Sequence, residues 1–364
     1  MSSTVDRLFR RLTTPEVLTF LAVGGVGYVV DVLAFNYLRT LAPLAAMDPA
    51  FAKTLAVAAA MVVTYVGNQT LTWRGESGPG RHRQVALFVL FNVIGLGFSM
   101  IYNTSEVINF AQGEFVMIGG MVTVTLYAGG QIPLAVAALA AIGITALVGI
   151  AVERLAIEPA PQNNLTTLII ITLGVSITIR GLAEVVLGKN FYHLPAFSGD
   201  TPFDLAGAEV TPQAFWVIGS LIAVMLALAW FFNRTRLGKA MLATSQNRMA
   251  AELMGINVKM ILRLSFALSA LLGAIAGVLT APITMTKYDV GVMLGLKGFC
   301  AAVIGGLGTA TGALFGGLLL GVSEALAAGY ISSSYKDAVA FIILLGVLFF
   351  LPEGLFGRAR GERV

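Results

Sequence analysis

Long apolar runs separated by short polar interruptions dominate the chain, at residues 17–38, 51–71, 85–102, 110–127, 132–152, 165–187, 215–232, 261–283 and 301–327. A helix needs roughly 20 apolar residues to cross a bilayer, so the pattern predicts an all-α polytopic membrane protein with about nine or ten transmembrane helices. Some of these should be broken or re-entrant. Residues 103–113 are polar, and the apolar stretch that follows, 115–127, is short for a full crossing. Irregular polar backbone survives inside a membrane where it meets packed protein or a water-filled path. That makes Asn109 and Gln112 pathway candidates, although an ordinary loop outside the membrane fits the spacing equally well. Thr172 and Ser176 interrupt an otherwise Ile/Leu-rich surface and could serve as polar points in a mostly apolar cavity. Arg180 and Glu184, four apart, share a helical face and can pair.

Two further features break the apolar pattern. Gly305, Gly306 and Gly308 should end a helix, and Gly308, Gly312 and Gly316, spaced by four, would give a small-residue face for close packing in lipid. Glu324 is ionisable inside an apolar run and is a functional candidate for that reason. A capping or inter-subunit hydrogen bond explains it equally.

Residues 231–264 form a polar island that gathers Arg234, Arg236, Lys239, Arg248, Lys259 and Arg263 between two long apolar runs. Short loops rich in Lys and Arg are retained on the cytoplasmic side. Within the island Ala240, Met241, Ala243, Met249, Ala250, Leu253 and Met254 recur at helical spacing, predicting one short amphipathic helix that Gly255 stops. An apolar ridge at a membrane surface needs a groove, and the chain has no soluble domain to supply one. The implied partner is another protein, the competing reading being a basic helix lying on lipid headgroups.

At 364 residues, 57% hydrophobic and only 12% charged, the chain has about half the charge of an ordinary globular domain. Its formal net charge of +4 is spread over loops, which suits cytoplasmic retention and excludes a nucleic-acid surface. One cysteine, Cys300, and two histidines exclude an internal disulfide and offer no metal site or cofactor. No Gly-xxxx-Gly-Lys-Ser/Thr phosphate loop is present, nor a catalytic His, Cys or Ser constellation. The chain therefore does not read as an enzyme and cannot hydrolyse ATP to power transport itself.

Ala250, Ala251 and, after three intervening residues, Gly255 resemble the coupling-loop core of ABC importer permeases, with Met249 where the general motif prefers Glu. Residues 238–257 as a whole, including Gly238, Asn247 and Arg248, resemble the permease subunits of branched-chain amino acid importers, the LivH type. Asn109, Phe110, Ala111, Gln112 and Gly113 stand where that family carries an Asn-Phe-Ala-His/Gln-Gly motif. The resemblance covers 98–364, with a coupling loop at 234–262. It implies a bacterial inner-membrane permease for branched-chain or other apolar amino acids. Its implied partners are separate ABC ATPase subunits, a second permease subunit, an extracytoplasmic amino acid-binding protein and the lipid bilayer.

Residues 1–97 resemble instead the GtrA-like family, on Gly24, Gly25, Gly27 and Asp31 and on Asn68 to Arg74, which implies a fusion. The alternative function is then polyprenyl-phosphate sugar movement or an accessory role in polysaccharide or glycolipid synthesis. Asp31 and Lys53 sit in neighbouring runs and could form an ion pair. The two basic loops, 72–84 and 234–263, should both be cytoplasmic, yet five runs lie between them. One run must be re-entrant, or the amino-terminal pair is inverted.

Overall fold

The computed structural model describes residues 93–102, 108–130, 132–160, 165–199, 201, 203–205, 208–308, 310–327, 336–351 and 353–355, with a few isolated residues between 26 and 63. The expectations placed on Asp31, Lys53 and the first basic loop lie outside the described residues.

Eleven α-helices follow one another among the described residues: α1 (Val93–Tyr102), α2 (Gln112–Gly130), α3 (Leu134–Val152), α4 (Leu165–Leu187), α5 (Pro212–Arg234), α6 (Arg236–Gln246), α7 (Arg248–Leu253), α8 (Val258–Thr284), α9 (Val290–Gly305), α10 (Ala310–Leu326) and α11 (Lys336–Phe350). One three-residue hairpin, β1 (Phe203–Leu205) and β2 (Ala208–Val210), pairs antiparallel between α4 and α5. Among the described residues four helical segments are long and apolar enough to cross a membrane: Leu134–Ile157, Thr166–Leu187, Pro212–Arg234 and Val258–Thr284. The protein is an all-α, multi-pass membrane protein.

Helix α8 is the spine. Its apolar window is 72% buried, against 17% for the α4 segment, because its face is cut small by Ser265, Ser269, Gly273, Ala274 and Gly277. Apolar helices gain no hydrophobic drive from leaving lipid, so close backbone contact through small residues has to hold them together. A Cβ at Gly277 would collide with the Val116 carbonyl of α2, one at Gly119 of α2 with the backbone of Ala274, and one at Gly149 of α3 with the Phe266 carbonyl. Several hydroxyls inside these helices return to their own backbone, as Thr145 does to the Ala141 carbonyl at 2.7 Å and Thr280 to that of Ala276 at 2.8 Å, which satisfies their protons without a partner from another helix.

Helix α3 widens past Val152 into a π-turn, Glu153–Ile157, and ends just before Pro159, whose ring cannot continue it. Two expectations change on contact with the structure. Glu184 pairs not with Arg180 but with Lys189, at 2.8 Å. Gly308 is not on the small-residue face: it lies in the turn after α9 with φ +89°, ahead of α10. Gly312 and Gly316 do face α9, and a Cβ on Gly316 would strike the Ala301 carbonyl.

At the amino-terminal end of the described bundle, Gly97 of α1 and Gln112 of α2 both meet Ser269, and Phe98 and Phe110 both pack on Phe299, at ring separations of 5.7 and 5.5 Å. The end of α1 and the start of α2 thus share one level of the bundle. The first basic loop lies outside the described residues, so the crossing count between the two loops stays an expectation of the sequence.

Candidate functional site

The level at which α1 and α2 meet is deep in the bundle. Ser269 lies eleven residues beyond Val258, the first residue of α8, about 16 Å along its axis at 1.5 Å per residue. Here the chain is not helical at Ile108–Ala111, and side chains satisfy the exposed backbone. Asn109 Oδ1 accepts from the Ala111 N–H at 3.0 Å, and its carbonyl accepts from Gln112 N–H at 3.1 Å. The Phe110 N–H donates to Thr172 Oγ1 at 3.3 Å, and that hydroxyl is 2.9 Å from its own Ile169 carbonyl. On the other side Gln112 Nε2 donates to the Ser269 carbonyl at 3.1 Å. Ser269 Oγ lies 2.6 Å from Gln112 Oε1 and 2.8 Å from the Gly97 carbonyl, with one proton between them. One turn further along α4, Ser176 donates to Glu114 Oε1 at 2.8 Å.

The structure therefore brings four sequence candidates, Asn109, Gln112, Thr172 and Ser176, to one buried polar joint between α2, α4 and α8. It adds Glu114 and Ser269, which periodicity did not single out. Glu324 belongs elsewhere. Its carboxylate is 2.6 Å from Lys297 Nζ on α9, which is also 2.6 Å from Asp337 on α11. Lys297 and Glu324 are each 4% exposed and Asp337 38%.

The polar island is two helices rather than one. Asn247 is extended (φ −154°, ψ 105°) and its side chain accepts from Ala250 N–H at 2.9 Å, so it caps α7 and ends α6. Thr235 caps α6 through Gly238 N–H at 2.9 Å, and Asn257 caps α8 through Met260 N–H at 3.1 Å. Each cap satisfies an amide that the first helical turn leaves unpaired. Gly255, at φ +84°, closes α7: its N–H reaches the Glu252 carbonyl and the Ile256 N–H that of Ala251, both at 3.0 Å, the paired bonds of a glycine-terminated helix. Gly238 has no room for a side chain, because a Cβ would enter the Phe231 carbonyl, so α6 folds tightly against the end of α5. Ala251 is buried and Ala250 exposed.

On the outside of this joint Met249, Leu253 and Met254 are 75%, 83% and 83% exposed. Beneath it Arg263 bridges Glu153 at 3.3 Å and Glu158 at 2.6 Å, while Lys259 reaches Glu158 at 3.2 Å. The Arg263 and Lys259 hydrogen bonds hold the Glu158 carboxyl below the usual range. The π-turn and the foot of α8 are pinned together under the island.

The family described as branched-chain amino acid transport system / permease component matches residues 81–348. The chain belongs to that permease family. The permease is 34% identical over 296 residues to the high-affinity branched-chain amino acid transport system permease protein LivH of Escherichia coli K12, covering 77% of this chain and 95% of that protein. BraD of Pseudomonas aeruginosa, named for the same kind of system, is 34% identical over 287 residues, 75% of this chain and 94% of BraD. The ribose import permease RbsC of Escherichia coli K12 is 27% identical over 272 residues, 70% of this chain and 80% of RbsC. A chain of the solved PsaBC–Fab complex from Streptococcus pneumoniae reaches a TM-score of 0.44 at 17% identity over 76% of this chain, too loose a likeness to inform the fold. The family match begins at residue 81 and so takes in the run 85–102.

Proposed function

We propose that this permease is the membrane-spanning subunit of an ABC importer for branched-chain or other apolar amino acids in a bacterial inner membrane. Separate ATPase subunits, a second permease subunit and an extracytoplasmic binding protein would complete it. The observation that carries the mechanical half of this reading is the ridge of Met249, Leu253 and Met254, held clear of the bundle on a short helix capped at both ends. Exposed large apolar side chains in such a cluster mark a protein contact. A helix fixed by Thr235, Asn247, Gly255 and Asn257 can pass a push to α5 and α8 without fraying. The cargo is inferred from the names of LivH and BraD, and the buried joint at Asn109, Gln112, Thr172 and Ser176 is its proposed path. Glu324, engaged by Lys297, is assigned to holding α9, α10 and α11 together.

The test is co-purification. The wild-type chain, expressed with candidate ATPase subunits, should bring them through detergent purification, and Leu253→Asp combined with Met254→Asp should lose them while keeping the wild-type melting temperature. Labelling that finds 238–257 open to the exterior would sink the proposal.

A further inference from the structure

The buried joint holds two polar atoms that find no partner among the described residues. Asn109 Nδ2 is a donor without an acceptor, and Glu114 Oε2 is an acceptor without a donor. Both side chains are 0% exposed. They are opposite in kind and only five residues apart, on either side of the start of α2. Their other atoms are engaged in fixing them: Asn109 Oδ1 on Ala111 N–H, Glu114 Oε1 on Ser176. Leaving a buried amide N–H and a carboxylate oxygen unmatched is costly.

No described side chain repairs the mismatch. Glu114 is in none of the ion pairs among the described residues; the charges that reach it through space are those of Arg180, opposite in sign, and Asp289, like in sign. Glu114 Oε2 faces Gly291 at the start of α9, where an added Cβ would come within 2.7 Å of it. Next to Asn109, Phe110 packs on Phe299, which also meets Phe98, and gives an apolar surface at the same level.

We infer that Asn109 and Glu114 recognise the two charged ends of an α-amino acid cargo, Nδ2 donating to its carboxylate and Oε2 accepting from its ammonium. This rests on the permease function proposed above and deepens it. A zwitterion entering a low-dielectric site must have both charges met, and a donor and an acceptor fixed in advance do so with little reorganisation. The Phe98, Phe110 and Phe299 rings would receive the apolar side chain. Both atoms are sealed here, so cargo reaches them when α4, the least covered of the long helices, parts from α2.

Binding of tritiated leucine to the complete purified complex in nanodiscs tests this, without binding protein so that its own selectivity does not enter. Competition by leucine, by its deaminated analogue 4-methylpentanoate and by its decarboxylated analogue 3-methylbutylamine supplies the readout. Glu114→Gln should weaken leucine on the order of tenfold to a hundredfold, the value of a hydrogen bond to a charged group. It should also raise the affinity of 4-methylpentanoate relative to leucine by about tenfold or more. Asn109→Ala should do the same for the amine. Unchanged relative affinities in both variants overturn the inference. Where Glu114→Gln yields no folded complex, Asn109→Ala, which alters no charge, decides alone. A wild-type complex that binds no leucine is a different result: it removes the cargo reading itself.

Discussion

Removing Lys297 is the sharpest test of how this bundle tolerates charge. Lys297 and Glu324, both 4% exposed, lie 2.6 Å apart, and Asp337 completes the group at 2.6 Å with 38% exposure. Breaking a buried pair by deleting one partner costs about 3–5 kcal/mol, because the remaining charge stays desolvated. A second route gives a similar figure. Stranded Glu324 can take up a proton, which at pH 7 costs about 3.7 kcal/mol starting from the ordinary Glu value, and this limits the penalty. Asp337 reaches solvent and adds little. Lys297→Met should therefore lower stability by about 3–4 kcal/mol at pH 7. Adding Glu324→Gln should recover most of it, since an amide carries no charge to strand. Melting followed by size-exclusion fluorescence in detergent would show this, with the single variant regaining stability as pH falls toward the carboxylate range. A Lys297→Met protein as stable as wild type, or a double variant weaker than the single, refutes the reasoning.

Three further outcomes follow from contacts described above. Gly97→Ala drives a Cβ into Gln112 Nε2, with Ser269 Oγ 3.1 Å away, and should cost about 1–3 kcal/mol as overpacking, partly restored by Gln112→Ala in the same melting assay. Asn247→Ala removes the α7 cap at a cost of about 1 kcal/mol, visible as faster hydrogen exchange at 250–253 with the transmembrane amides unaffected. Glu158 titrates below the usual carboxylate range because Arg263 and Lys259 bind its charged form. Its contribution is thus present above the unfolded carboxylate value and lost as pH falls through the lowered folded one. Glu158→Gln should flatten the acid limb of the stability profile, and an unaltered limb would remove the clasp from the account.

What could be read ahead of the structure was whatever the chain encodes locally. The limits of α4 and the ends set by Gly255 and by Gly305–Gly306 follow from length, hydropathy and glycine, and all are visible in a window of a few residues. Long-range partners are not. Helices apolar all round present no face to read, so nothing marked Glu114 as the neighbour of Ser176, 62 residues away, or Lys297 as that of Asp337, 40 residues away. Local logic also misled where a competitor stood close by. Lys189, just past the end of α4, takes Glu184 from Arg180, and a single residue, Asn247, divides what periodicity joins into one helix. The cation-rich island was legible because charge in so apolar a chain is rare; its three caps were not, since Thr235, Asn247 and Asn257 look like ordinary loop residues until the backbone turns at each.

Between α2 and α8 the main chains touch, Gly119 on Ala274 and Gly277 on Val116, and this has a mechanical consequence. Two rods in contact at that range have no side-chain cushion to shear, and interfaces this tight switch between discrete states rather than deform. In the working cycle proposed above the pair would be the stator. The outlying helices, α4 and α5, would turn about it, and the stroke length would be set by how far those two can travel before they meet the fixed part again.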